Sequence, residues 1–234
     1  MIFDPLYLLL VGPVMLFAMF AQWRVKSAYA KAQAQPAPIS GAAAARMVLD
    51  DSGLSNVDVQ MTQGFLSDHY DPRAKVIRLS PEVYQSRSLA AVGIAAHEAG
   101  HAIQDATNYS PLVIRNAAVP LASTGGGISM MVFIGGIMFG GAASVLGKSL
   151  LIAGVFLFAA VVFFQLINLP VEFDASNRAK RVLGELQVVR GEQAAVVNDV
   201  LSAAAMTYVA ATVSAIMTLI YMLIRSGLLS GRRD

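Results

Sequence analysis

The sequence predicts a mainly α-helical membrane protein, with about four transmembrane helices and one small α+β domain. Three observations lead there. The 234 residues are 56% hydrophobic at a mean hydropathy of +0.59, too apolar for one soluble domain. That excess falls in four blocks, each long enough to cross a bilayer. Between the first two blocks lies a polar stretch with short alternating segments and an Ala-rich helical run. The net charge of +2 and the lack of a basic stripe interleaved with aromatics argue against a nucleic-acid partner. Cysteine is absent, which excludes disulfides and thiolate metal ligands.

Taken in order, residues 1–23 form the first anchor, with an apolar block from Pro5 to Trp23. Ala28-Tyr29-Ala30 has the form of a signal-peptidase site. The segment before the block, however, carries Asp4 and no positive charge, and Arg24 and Lys26 intervene, so a retained anchor is expected. Residues 24–116 form the small domain. Gln33–Pro38 reads as a linker, and Ser40 caps a helix over Gly41–Asp51 that stops at Ser52-Gly53. Val57–Met61 and Lys75–Leu79 alternate like strands on either side of the turn-rich Ser67–Pro72. Ser80-Pro81 marks a helix start, and Leu89–Gln104 is a proline-free helical run capped by Ser86 or Ser88.

Residues 117–169 hold the second and third spans, Ala117–Ala143 and Leu150–Leu169. The former contains Gly136 and Gly140 at a spacing that permits close helix approach in lipid. Residues 170–202 form a polar helical segment, and residues 203–234 the fourth span and tail. Of the 17 Lys and Arg residues, nine lie in 24–115 and four in 170–199, against Lys148 and the tail arginines Arg225, Arg232 and Arg233. The positive-inside rule therefore places both polar segments in the cytoplasm. The second and third spans form a hairpin that returns the chain to that side.

Residues 97–101 read His-Glu-Ala-Gly-His, and two of the three histidines lie inside this stretch. Four residues apart on a helix, His97 and His101 share a face and can bind one ion. Glu98, beside the first of them, is placed to act as a general base. Such a site takes a third protein ligand. Here it is His69, an aspartate or a glutamate, and Glu172 and Asp174 stand out because they follow directly on the third span. Their other reading is as acids at the N-terminus of the polar helix.

His97-Glu98-Ala99-Gly100-His101, followed by Leu-Pro-Val-Glu-Phe-Asp-Ala-Ser over 169–176, resembles the YugP-like zinc metallopeptidases of bacterial membranes. More distantly it is similar to HtpX-like proteases. The resemblance covers most of the chain. It implies a zincin-like catalytic domain of gluzincin type, one catalytic Zn2+, and Glu172 as third ligand. In HtpX-like proteins an aspartate four residues beyond the ligand glutamate supports the site. Here that position is Ser176, and Asp174 lies two residues on.

The expected function is zinc-dependent endopeptidase activity on membrane-associated or misfolded proteins at a bacterial inner or plasma membrane. The alternative is a zinc-binding scaffold or regulator without proteolysis. Partners expected are peptide or membrane-protein substrate, lipid, and a homo-oligomeric or regulatory membrane partner. Glu98 is the catalytic residue, and His97, His101 and Glu172 bind metal. His69, Asp174 and Arg178 are candidate supporting or oxyanion groups. Val76–Leu79 is either an edge strand that pairs with extended substrate or one half of an ordinary two-stranded sheet.

Overall fold

The computed structural model describes residues 4–64 and 67–229. Its elements in chain order are α1 (Pro5–Gln33), α2 (Gly41–Asp51), β1 (Asp58–Met61), β2 (His69–Asp71), β3 (Val76–Leu79), α3 (Pro81–Tyr84), α4 (Leu89–Ala106), α5 (Ser110–Met138), a 3-10 turn (Gly141–Ala143), α6 (Val145–Glu185) and α7 (Glu192–Arg225). Four of these helices, α1, α5, α6 and α7, are long and apolar enough to cross a membrane. The fold is thus mainly helical, with four candidate spans and one small sheet.

The chain divides into two compact units. The first comprises Met1–Phe20, Ile114–Leu169 and Tyr208–Asp234. Its interior is small, built on Phe133, Leu151, Val155, Tyr221 and Met222, while Leu9, Met138, Val145 and Phe156 are strongly exposed. Large apolar side chains turned outward are the mark of a surface solvated by lipid. Close packing within the unit depends on missing side chains. A Cβ on Gly154 would lie 2.8 Å from that of Phe133, and one on Gly136 would lie 2.8 Å from the Leu151 nitrogen. The predicted glycine pair separates in role. Gly136 makes the close approach, whereas Gly140 lies beyond the end of α5 at φ +96° and serves the turn, a conformation that suits glycine. The polar ends of α1 and α7 are tied through Asp4, which accepts a hydrogen bond from the Tyr221 hydroxyl at 2.9 Å and pairs with Arg225 at 3.1 Å.

The second unit comprises Ala21–Val113 and Pro170–Thr207. At its centre is α4, of whose 18 residues all but four are buried. A helix enclosed on every side needs small residues wherever a neighbour crosses closely, which explains its run of alanines and glycines. A Cβ on Gly93 would lie 3.2 Å from a Val197 methyl of α7, and one on Gly100 only 2.4 Å from the Ala175 carbonyl oxygen of α6. Ser88 caps the helix by accepting from the Ala91 N–H, and Ser40 caps α2 in the same way through Ala43. The proline-rich stretch after α1 is pinned rather than loose. Ala37 donates to the Arg87 carbonyl, Leu89 to that of Gln35, and the Ser88 hydroxyl to Gln33.

The sheet has three strands in the order β1-β3-β2. β1 runs parallel to β3 with Asp58 opposite Val76, and β2 is antiparallel with Tyr70 opposite Ile77. Val76–Leu79, expected as an edge strand or as one half of a two-stranded sheet, is therefore the central strand of three, with both its ladders filled. The extra strand, β2, arises from the stretch read as a turn. Its Tyr70 hydroxyl donates to Asp105 near the end of α4 at 2.7 Å, and Lys75 pairs with the same carboxylate at 2.5 Å. That anchorage to α4 stabilises three residues that carry too little pattern to read as a strand.

Pro170 does not end a helix, because α6 runs unbroken from Val145 to Glu185. Glu172 and Asp174 are interior to it and cap no N-terminus. A proline forfeits one N–H bond to the preceding turn, a loss that surrounding protein tolerates in long apolar helices. Arg232 and Arg233 of the tail lie outside the described residues. One prediction follows from the α4–α6 crossing. Gly100→Ala forces the two helices apart and lowers the unfolding free energy by about 1–3 kcal/mol, read as a reduced thermal midpoint in detergent; an unchanged midpoint would contradict the close approach.

Candidate metal centre

Two helices bring the site together. His97 and His101 project from one face of α4, and Glu172 comes from α6. Ligand atoms of these three residues all lie within 4.8 Å of one another. His97 Nε2 is 3.3 Å from Glu172 Oε2, and His101 Nε2 is 3.7 Å from the same oxygen. The two rings meet edge to face, with centroids 4.8 Å apart. Glu172 and His101 are buried and His97 nearly so.

Each imidazole is also held from behind. His97 Nδ1 lies 3.1 Å from the Ser176 hydroxyl, and His101 Nδ1 lies 3.0 Å from Gln104 Oε1. The Nδ1 atoms are thus occupied by the protein while both Nε2 atoms converge on one carboxylate. This is how ligating histidines are oriented. Burial alone would push the Glu172 carboxyl up. The imidazoles of His101 and His97 beside it outweigh burial and hold it well below the ordinary carboxylate range. Burial pulls His101 down, but the adjacent Glu172 carboxylate and the charge of Glu98 outweigh it and raise it. An ionised carboxylate beside two imidazoles, with no thiolate in reach, is a hard-to-borderline donor set suited to a divalent ion such as zinc. The residues present fit a zinc ion.

Glu98 is buried on α4 between the two histidines in sequence. Asp174 accepts hydrogen bonds from Gln104 Nε2 at 2.9 Å and from Arg178 Nε at 2.6 Å, and the Arg178 guanidinium lies 5.6 Å over the Tyr109 ring. A cavity of about 220 Å³ lined by Asp174, Asn177, Arg178 and Arg181 opens beside them. His69 is not part of the cluster. It sits exposed on β2, its Nδ1 2.7 Å from the Ser67 carbonyl. Gln104 was not among the residues singled out from sequence. Its signal is that it is the lone amide of the helix, three residues past His101 and so near that ring's face.

Comparison with known proteins bears on this geometry. A family model described as "Putative neutral zinc metallopeptidase" matches residues 7–227. The chain is 41% identical over 218 residues to the "Putative membrane protease YugP" of Bacillus subtilis (strain 168), covering 92% of this chain and 94% of that protein. No solved structure matches.

The cluster generates a direct test of ligation. Glu172→Ala should reduce bound zinc from about one equivalent to a small fraction, and His69→Ala should leave it unchanged, both measured by metal analysis of protein purified in detergent. Retained stoichiometry in Glu172→Ala would move the third ligand to another acid.

Proposed function

The chain belongs to this zinc metallopeptidase family, and from that premise we propose that it is a membrane-embedded endopeptidase of gluzincin type. The observation that carries the reading is the convergence of His97 Nε2 and His101 Nε2 on the Glu172 carboxylate, with both Nδ1 atoms engaged elsewhere. His97, His101 and Glu172 would hold one zinc ion. Zinc so held supplies a Lewis acid, which polarises a peptide carbonyl and brings the pKa of water down toward about 7.

The chain's own groups do the rest. The Glu98 carboxylate accepts the proton of the attacking water and delivers it to the leaving amine nitrogen. The buried setting of the ligands keeps bulk water from competing and strengthens each electrostatic contact. With β3 enclosed on both sides, an extended substrate pairs with an outer strand. We assign β2, which is anchored to α4 through Tyr70 and carries His69, as that edge.

Four apolar helices and a relative named as a membrane protease support membrane-associated proteins as substrates. The concentration of Lys and Arg in 24–115 and 170–199 supports a cytoplasmic catalytic unit.

The experiment compares wild type with Glu98→Gln, each purified in detergent, for zinc content and for cleavage of casein or a misfolded membrane protein. Both should hold zinc, and Glu98→Gln should be slower by about 10²–10⁴-fold. Equal cleavage with zinc retained would overturn the protease reading in favour of a metal-binding scaffold.

A further inference from the structure

We propose that Asp174 and Gln104 form a positioning pair that fixes the His101 ring in the tautomer with its proton on Nδ1, leaving Nε2 bare toward the metal. The inference rests on the metal centre proposed above and assigns Asp174 a role different from that of a ligand.

Gln104 is fully buried, and its amide has one donating and one accepting end. The nitrogen end lies 2.7 Å from the Val171 carbonyl oxygen and 2.9 Å from Asp174 Oδ2. Both of these are acceptors. Reversing the amide would set its oxygen against two other oxygens in a buried place, with no proton between it and either of them. The orientation therefore follows from the partners. With the nitrogen end so committed, the oxygen end faces His101 Nδ1 at 3.0 Å, and an amide oxygen there requires an N–H on the ring. In the neutral ring, the form that can ligate an ion, the lone pair of His101 then sits on Nε2, the atom turned toward Glu172.

The other histidine is held differently. Ser176 can donate or accept, so its contact with His97 Nδ1 orients the ring without dictating the tautomer. Gln104 alone imposes direction. Asp174 is itself held in place by Arg178, whose guanidinium rests on Tyr109. A line of contacts thus runs from Tyr109 through Arg178, Asp174 and Gln104 to His101. It spans both helices of the site without touching the ion. It also accounts for an acid placed two residues after Glu172 rather than four. On α6 that acid reaches the amide of α4, while Ser176, one turn beyond Glu172, takes the other histidine.

The test uses the full-length protein in detergent, with ring-labelled histidine. Zinc affinity is measured by chelator competition, the His101 Nδ1–H resonance by NMR of the zinc-loaded protein, and ligand geometry by the visible bands of the cobalt(II)-substituted form. Gln104→Leu should weaken zinc about 10–100-fold, the range for loss of a ligand's hydrogen-bond partner. It should also shift or broaden the Nδ1–H resonance and alter the cobalt bands. Asp174→Ala, at a partly exposed position where folding is tolerant, should move the same resonance and weaken zinc by a smaller factor. Asp174→Asn, which keeps an acceptor oxygen, should restore both. A residue that merely stabilised the fold would lower the thermal midpoint and leave the resonance and the bands in place. Wild-type affinity and an unmoved resonance in Gln104→Leu overturn the proposal; should that variant fail to fold, the same result in Asp174→Ala does so. Failure of the wild type to bind zinc overturns the metal centre itself, a result distinct from equal binding by wild type and variants.

Discussion

The approach of α4 to α6 at Gly100 is the constraint on which the site depends. A helix pair brought this close, with the Ala175 carbonyl 2.4 Å from where a Cβ would sit, lets a short carboxylate on one helix reach two imidazoles on the other. It also lets a glutamine on α4 span to the backbone of α6. Had either helix carried a larger residue at the crossing, each of those distances would lengthen. The electrostatics then act on a geometry that packing has already set. Glu172 is charged and His101 is favoured as a partner because the two are held together in a place with little water.

The two units solve opposite solvation problems with similar residues. In the first, a few interlocked side chains such as Phe133 and Tyr221 sit inside while large apolar groups face outward. In the second, alanine and glycine dominate the central helix because it is enclosed on every side. High overall hydropathy thus has two causes, and only one of them is contact with lipid. The capping serines, the pinned stretch before α2 and the anchorage of β2 to Asp105 all serve the second unit. They fix both ends of the helix that bears the histidines.

Much of this was legible in the sequence, for definite reasons. α2 was readable to its ends because Ser40 and Ser52-Gly53 act locally, and the four spans because their signal is composition over many residues. The His97–His101 face follows from helical periodicity alone. Other features depend on contacts far apart in the chain. β2 exists because Tyr70 meets Asp105, and β3 is central only once β2 is present. Pro170 looks like a boundary to any local rule and lies inside a helix instead. Glu172 could be picked out as an acid beside an apolar block, but its union with the histidines, and the part played by Gln104, depend on the α4–α6 crossing. No short stretch of residues encodes that crossing.

The three ligands and the groups that touch them come from a single seam, with about two turns of α4 on one side and one turn of α6 on the other. Opening that seam withdraws the carboxylate of Glu172, the hydroxyl of Ser176 and the acceptor of Asp174 in one movement. An ion held there would leave cooperatively rather than ligand by ligand. Its exchange rate would then follow local separation of two helices, on a slower clock than the rotamer flips of individual side chains. Metal turnover would become a measure of how often the core of the second unit breathes.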